Sequence, residues 1–158
     1  IERVTTQGFE PVLEKTTLQE VIKKAQELLM AEEGRVHIQA DNQVIYTDIK
    51  LLSLAIKNLL DNGIKYSKNK QVWLKSIGEN IAVISDGEAM KQPLSYYIEP
   101  FTQEEKRSSG FGLGLYIVNS ILDKLGYSFS YKHVEGKNVF LIHAAKKHTA
   151  ERKKSAIL

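Results

Sequence analysis

From residue 58 to 67 the chain reads Asn-Leu-Leu-Asp-Asn-Gly-Ile-Lys-Tyr-Ser. On a helix turning about 100° per residue, Asn58, Asn62, Lys65 and Tyr66 share an arc roughly 100° wide. That arc adjoins an apolar stripe of Leu52, Ile56, Leu59 and Leu60 without belonging to it. Carboxamide oxygens suit a hard cation such as Mg²⁺, an ammonium suits phosphate, and a phenol ring can cover a flat base. The plain alternative is a helix that turns its polar residues to water, and this stretch alone does not choose between the two.

Two further places carry chemistry. Asp86 ends the apolar run 81–85 and Gly87 follows it. A carboxylate there can accept a hydrogen bond from a ligand amine, although Asp-Gly also simply ends strands. Farther on, Gly110-Phe-Gly112-Leu113-Gly114-Leu115 opens a helical pattern. Glycines at a helix start let backbone approach a phosphate, and the free N–H groups favour an anion. The dinucleotide fingerprint has different glycine spacing and sits in an early strand-turn-helix unit, and the P-loop pattern is absent.

The elements that must position these residues follow from periodicity. Thr17 and Glu20 have capping-box spacing, and a helix continues from there until Gly34 stops it. Residues 36–39 alternate like a strand, with 44–46 as the expected hairpin partner across Asp41-Asn42. A second helix is expected over 48–67. Two strands, 72–77 and 81–85, follow, the second nearly all apolar and therefore central. Residues 87–110 read as irregular. A third helix covers 113–124 with Gly126 as its cap, and 127–133 with 138–144 make a closing hairpin about Glu135-Gly136. The fold class expected is α/β (α+β), a two-layer sandwich whose mixed, largely antiparallel sheet of about five strands carries three helices on one face.

The ordered set Asn58-x-x-x-Asn62-x-x-Lys65-Tyr66, Asp86-Gly87, Glu99-Pro100-Phe101 and Gly110-x-Gly-Leu-Gly-Leu115 resembles the catalytic ATP-binding domain of bacterial sensor histidine kinases, of the GHKL superfamily with its Bergerat fold. The resemblance covers about residues 17–145. It implies that Asn62 binds Mg²⁺ with Asn58 in support, that Lys65 contacts phosphate, and that Tyr66 packs on adenine. It implies that Asp86, beside Gly87, accepts the adenine amino group. Residues 102–109 would be the ATP lid, with Lys106 or Arg107 reaching the γ-phosphate. Gly110, Gly112, Leu113, Gly114 and Leu115 would flank the phosphates. Asn58, Lys65 and Arg107 would thus be the residues closest to catalysis. Two departures stand out. The family's Asp-x-Gly-x-Gly box reads Asp86-Gly87-Glu88-Ala89-Met90, one residue short and lacking a glycine, and Gly63 replaces the usual Ala. The shortened box leaves open a degenerate relative that uses ATP only to set a conformation.

The resemblance also implies phosphoryl transfer rather than hydrolysis, because Asn58 stands where ATPases of the superfamily carry a water-activating Glu. None of His37, His133, His143 or His148 has an acceptor context, so the acceptor histidine is expected on a dimerisation domain upstream of Ile1. The expected partners are that domain and a response regulator. The expected setting is the cytoplasmic side of an inner-membrane sensor, with 1–15 as linker, 16–145 as kinase domain, 146–158 as basic tail, and the isolated domain monomeric.

Composition supports a folded domain and excludes other classes. Of 158 residues, 42% are hydrophobic and 26% charged, so there is enough apolar material for one core. A net charge of +3 is too small and dispersed for a nucleic-acid binder. With no cysteine, disulfide scaffolds and thiolate chemistry are excluded.

Overall fold

The computed structural model describes residues 10–99 and 112–144, with backbone only at 112 and 113. The sequence expectations for Pro100, Phe101, Lys106, Arg107 and Gly110, and for the basic tail, lie outside the described residues.

Eleven elements are described: β1 (Glu14–Thr17), α1 (Leu18–Leu29), β2 (Val36–Gln39), β3 (Val44–Thr47), α2 (Ile49–Tyr66), β4 (Val72–Ile77), β5 (Asn80–Asp86), α3 (Leu94–Ile98), α4 (Gly112–Leu125), β6 (Ser128–Val134) and β7 (Lys137–His143). A five-stranded sheet runs β2-β4-β5-β7-β6, with β5 at its centre as its apolar sequence requires. Among the described strands of this sheet, only β2 and β4 pair in parallel. Helices α1, α2 and α4 cover one face. Leu52, Ile56, Leu59 and Leu60 are buried, as are Leu115, Val118, Ile121 and Leu122 on α4 and Leu74, Val83 and Phe140 on the sheet. Trimming one such side chain to Ala costs about 2–5 kcal/mol.

The helices end where local chemistry dictates. Thr17 Oγ1 accepts from the Glu20 N–H at 3.3 Å. The capping box is only half made, because the Glu20 carboxylate accepts from the Thr16 hydroxyl at 2.8 Å. Asp48 caps α2 by accepting from Leu51 N–H at 3.0 Å, while its other oxygen accepts from Val12 N–H at 2.9 Å. Gly126, at φ +81°, ends α4, and the Tyr127 N–H reaches back to the Leu122 carbonyl at 2.9 Å.

Four expectations give way. Helix α1 ends at Leu29, with Met30 rather than Gly34 in the left-handed region and its N–H on the Gln26 carbonyl. Strand β3 does not pair with β2. It pairs antiparallel with β1, whose Glu14 and Lys15 fall inside the stretch read as linker. The connection 40–43 is pinned to the start of α1: Leu18 N–H donates to the Gln43 carbonyl at 2.8 Å, and Gln19 Nε2 to the Ala40 carbonyl at 2.6 Å. That pinning carries β3 away from the main sheet and leaves β2 to β4. Finally, the irregular stretch after residue 87 contains the short helix α3.

Candidate functional site

Helix α2 lies between α1 and α4, so the edge of its buried stripe faces the first turn of α4. Asn62 sits at that edge. It is 8% exposed, and its Nδ2 finds no hydrogen-bond partner among the described residues. A Cβ placed on Gly114 would lie 3.4 Å from both Nδ2 and Oδ1 of Asn62. The carboxamide therefore lies directly on backbone at a helix start, where N–H groups lack helical acceptors and favour negative charge. Leaving a buried polar group unbonded costs about 1–3 kcal/mol. A ligand that supplies the missing partner recovers that cost, and the amide can present nitrogen or oxygen.

The other residues of the α2 arc are more open. Asn58 Oδ1 accepts from Lys57 Nζ at 3.4 Å. Lys65 pairs with Asp61 at 3.3 Å, with its side chain 61% exposed. Tyr66 is 40% exposed, and its carbonyl lies 3.4 Å from where a Cβ on Gly87 would stand. Gly63 has a packing reason. A Cβ there would lie 2.4 Å from Val72 Cγ2, so α2 meets β4 too closely for Ala.

At the end of β5 the structure separates neighbours. Asp86 is the cross-strand partner of Lys137, and Oδ1 accepts from Lys137 Nζ at 2.5 Å. Its Oδ2 accepts from Asn69 Nδ2 at 3.1 Å. The bonded Lys137 ammonium holds the Asp86 carboxyl below its ordinary value against a smaller opposing effect of burial, with Asn69 and Lys68 adding to the lowering. Ser85, one residue earlier, is 8% exposed and points to the helix side, its Cβ 3.7 Å from the place of a Gly63 Cβ.

The shortened segment after Asp86 is tied to the β6–β7 hairpin. Gly87 N–H donates to the Gly136 carbonyl at 3.0 Å, and His133 Nε2 meets the Gly87 carbonyl at 2.8 Å. Buried Asn138 donates to the Glu88 carbonyl at 2.9 Å and accepts from the Tyr131 hydroxyl at 2.5 Å. That hydroxyl accepts from the Met90 N–H at 3.0 Å. Hydrogen bonds thus shape a loop that lacks the second glycine. Sequence reading missed Ser85, Tyr131, Lys137 and Asn138. Strand alternation was the one signal available for them.

The described histidines lie in strands, as expected. His37 stacks on Trp73 at 4.9 Å and meets Gln71 Oε1 at 2.6 Å. His143 Nε2 lies 3.3 Å from Ser130 Oγ. His133 serves the loop just described.

The family model described as histidine kinase-, DNA gyrase B- and HSP90-like ATPase matches residues 47–148. The chain belongs to this family. The sensor histidine kinase ArsS of Helicobacter pylori is 34% identical over 148 residues, covering 90% of this chain and 35% of that protein. The sensor protein kinase GraS of Staphylococcus aureus is 32% identical over 110 residues, covering 65% and 32%. The chain thus spans about a third of the length of these curated relatives. Among solved structures, the Acinetobacter baumannii histidine kinase AdeS superposes with a TM-score of 0.65 at 20% identity, over 89% of this chain and 71% of that one. The nucleotide-free catalytic domain of histidine kinase ThkA gives 0.66 at 19% identity, over 83% and 93%. These likenesses place the fold among histidine kinase catalytic domains.

Membership of this ATPase family brings ATP binding with it. The residues present fit a nucleotide: a buried amide without a partner among the described residues rests against the glycine-bearing start of α4. They also fit Mg²⁺ shared with phosphate. Among the described residues no cluster of three His, Asp or Glu side chains forms a metal cage, and Mg²⁺ commonly takes one or two protein oxygens plus substrate phosphates and water.

Proposed function

We propose that this chain is the kinase part of a two-component sensor, binding Mg·ATP and offering the γ-phosphate to a histidine on a dimerisation domain outside the chain, from which a response regulator receives it. The observation that carries the reading is Asn62, buried, lacking a partner for Nδ2 among the described residues and lying against Gly114. In this reading Asn62, supported by Asn58, orients the phosphate-metal end. Exposed Lys65 exchanges its partner Asp61 for a phosphate oxygen, and Tyr66 lies along the base. The backbone of Gly112 to Leu115 and the cations Lys106 and Arg107 complete the phosphate side. Bound Mg²⁺ would neutralise phosphate charge during transfer. The chain itself contributes position and charge, because Asn58 cannot act as a base toward water. Among the described residues no helix is long and apolar enough to cross a membrane. We place the chain on the cytoplasmic side of a membrane-bound sensor, where ATP is found.

The test has two stages. Calorimetric titration with ATP, with and without Mg²⁺, should show Mg²⁺-dependent binding. Incubation with γ-labelled ATP should then leave this chain unlabelled and label a phosphoacceptor domain added in trans. Acid-labile phosphate on a histidine of this chain would overturn the acceptor assignment. Binding without any transfer would make the chain a nucleotide-sensing module instead.

A further inference from the structure

We infer that Ser85, not Asp86, meets the base of the bound nucleotide, and that selectivity between purines is relaxed as a result. The inference rests on reading the seam between α2 and α4 as the nucleotide site.

Alternation along β5 separates the two residues. Ile81, Val83 and Ser85 pair across to Ile142, Phe140 and Asn138, and all six are buried. Five of them lie in the core or beside the Asn138 bonds that hold residue 88. The sixth, Ser85, ends this row next to Gly63. Ala82, Ile84 and Asp86 pair with Leu141, Val139 and Lys137 and belong to the opposite face. Asp86 is engaged there on both oxygens, by Lys137 and Asn69. A ligand amine approaching from the helix side would have to displace a bonded ammonium and turn the carboxylate through the sheet edge.

The Ser85 hydroxyl has none of these commitments. It takes part in none of the hydrogen bonds seen among the described residues. It adjoins Gly63, and the next residue on α2 toward its start is Asn62 with its unpartnered amide. Two buried polar side chains with bonding capacity to spare therefore flank one glycine. The rim beside them is held in shape by Asn138 and Tyr131, and the Tyr66 carbonyl lies 3.4 Å from where a Cβ on Gly87 would stand. Asn62 has the helix start of α4 beside it and takes the phosphate end, so Ser85 is left with the base.

The chemistry of the two groups differs in a way that can be read. An ionised carboxylate only accepts, so it favours the amino edge of adenine and repels the carbonyl of guanine. A hydroxyl both donates and accepts, so it serves either purine.

The test is calorimetric binding of Mg·ATP and Mg·GTP to the whole chain and to its Ser85→Ala and Asp86→Asn variants, with thermal melts confirming that each is folded. The wild type should bind the two nucleotides within about tenfold of each other. Ser85→Ala should weaken ATP about fivefold or more. Asp86→Asn, which alters only the surface bonds to Lys137 and Asn69, should change ATP affinity less than about threefold. Wild-type affinity for ATP in Ser85→Ala, or a tenfold loss in Asp86→Asn, would overturn the assignment. A wild-type chain that binds neither nucleotide would instead refute the nucleotide site itself, which separates the two failures.

Discussion

Asn62 and Gly114 touch across the seam between α2 and α4, side chain on backbone, with 3.4 Å between the carboxamide and the place of a missing Cβ. Among the described residues, Asn62 Nδ2 is buried without a hydrogen-bond partner. Function and stability should therefore oppose each other at this position. Asn62→Ala removes an unsatisfied group, so the melting temperature should stay the same or rise. Mg·ATP affinity should fall about 5- to 150-fold. A variant that loses binding only because it melts earlier would contradict this.

Gly63→Ala should destabilise the chain by about 1–3 kcal/mol, because the new methyl meets Val72 Cγ2 at 2.4 Å. Trimming the obstacle should help. The double variant Gly63→Ala, Val72→Ala should show a favourable coupling in denaturant melts, recovering part of the loss from the first change. Additive losses would show that the clash relaxes elsewhere.

Asn138 holds the segment after Asp86 by bonds to Glu88 and Tyr131. Asn138→Ala should cost about 1–3 kcal/mol, since the Glu88 carbonyl and the Tyr131 hydroxyl lose a partner together. The Met90 amide, which donates to Tyr131, should exchange faster with solvent. Unchanged protection at Met90 would mean that the loop holds its shape by other contacts.

The Asp86–Lys137 pair gives a pH signature. Because Lys137 lowers the Asp86 carboxyl in the fold, the pair contributes stability above the unfolded value, near pH 4, and loses it as pH falls through the lowered folded value. Lys137→Met should move the Asp86 titration, followed by carboxyl NMR, upward toward the ordinary range. The stability gap between the two proteins should be present at neutral pH, vanish in acid, and shrink with salt. An unmoved titration would mean that the bonded ammonium is not the cause.

What the sequence could settle was local. The 3.6-residue stripe of α2 follows from Leu52, Ile56, Leu59 and Leu60, and all four are buried. The cap residues Thr17, Asp48 and Gly126 act through neighbours within five positions. The ordered boxes of side chains that mark the ATPase family were legible for the same reason: each is a short run whose spacing survives without knowledge of its neighbours in space.

Strand partners were not legible in this way. Residues 36–39 and 44–47 both look like strands, and a hairpin is the nearest pairing in sequence, yet β2 joins β4 and β3 joins β1. Bonds from α1 to residues 40 and 43 decided that, and they join segments about 20 positions apart. The side of the sheet was hidden too. Residue type drew attention to Asp86, the acid before Gly87. Only the register of β5 on β7 shows that Ser85 faces the helices while Asp86 turns to Lys137, about 50 positions away. Alternation is a sequence property, but its phase is set by which strand lies alongside and which face is buried. The sequence by itself therefore determined the three long helices, the family and the motif residues, but not the short helix α3 or the candidates Ser85, Tyr131, Lys137 and Asn138. Tertiary structure alone decided which of those residues share a face, because that depends on pairing between distant segments.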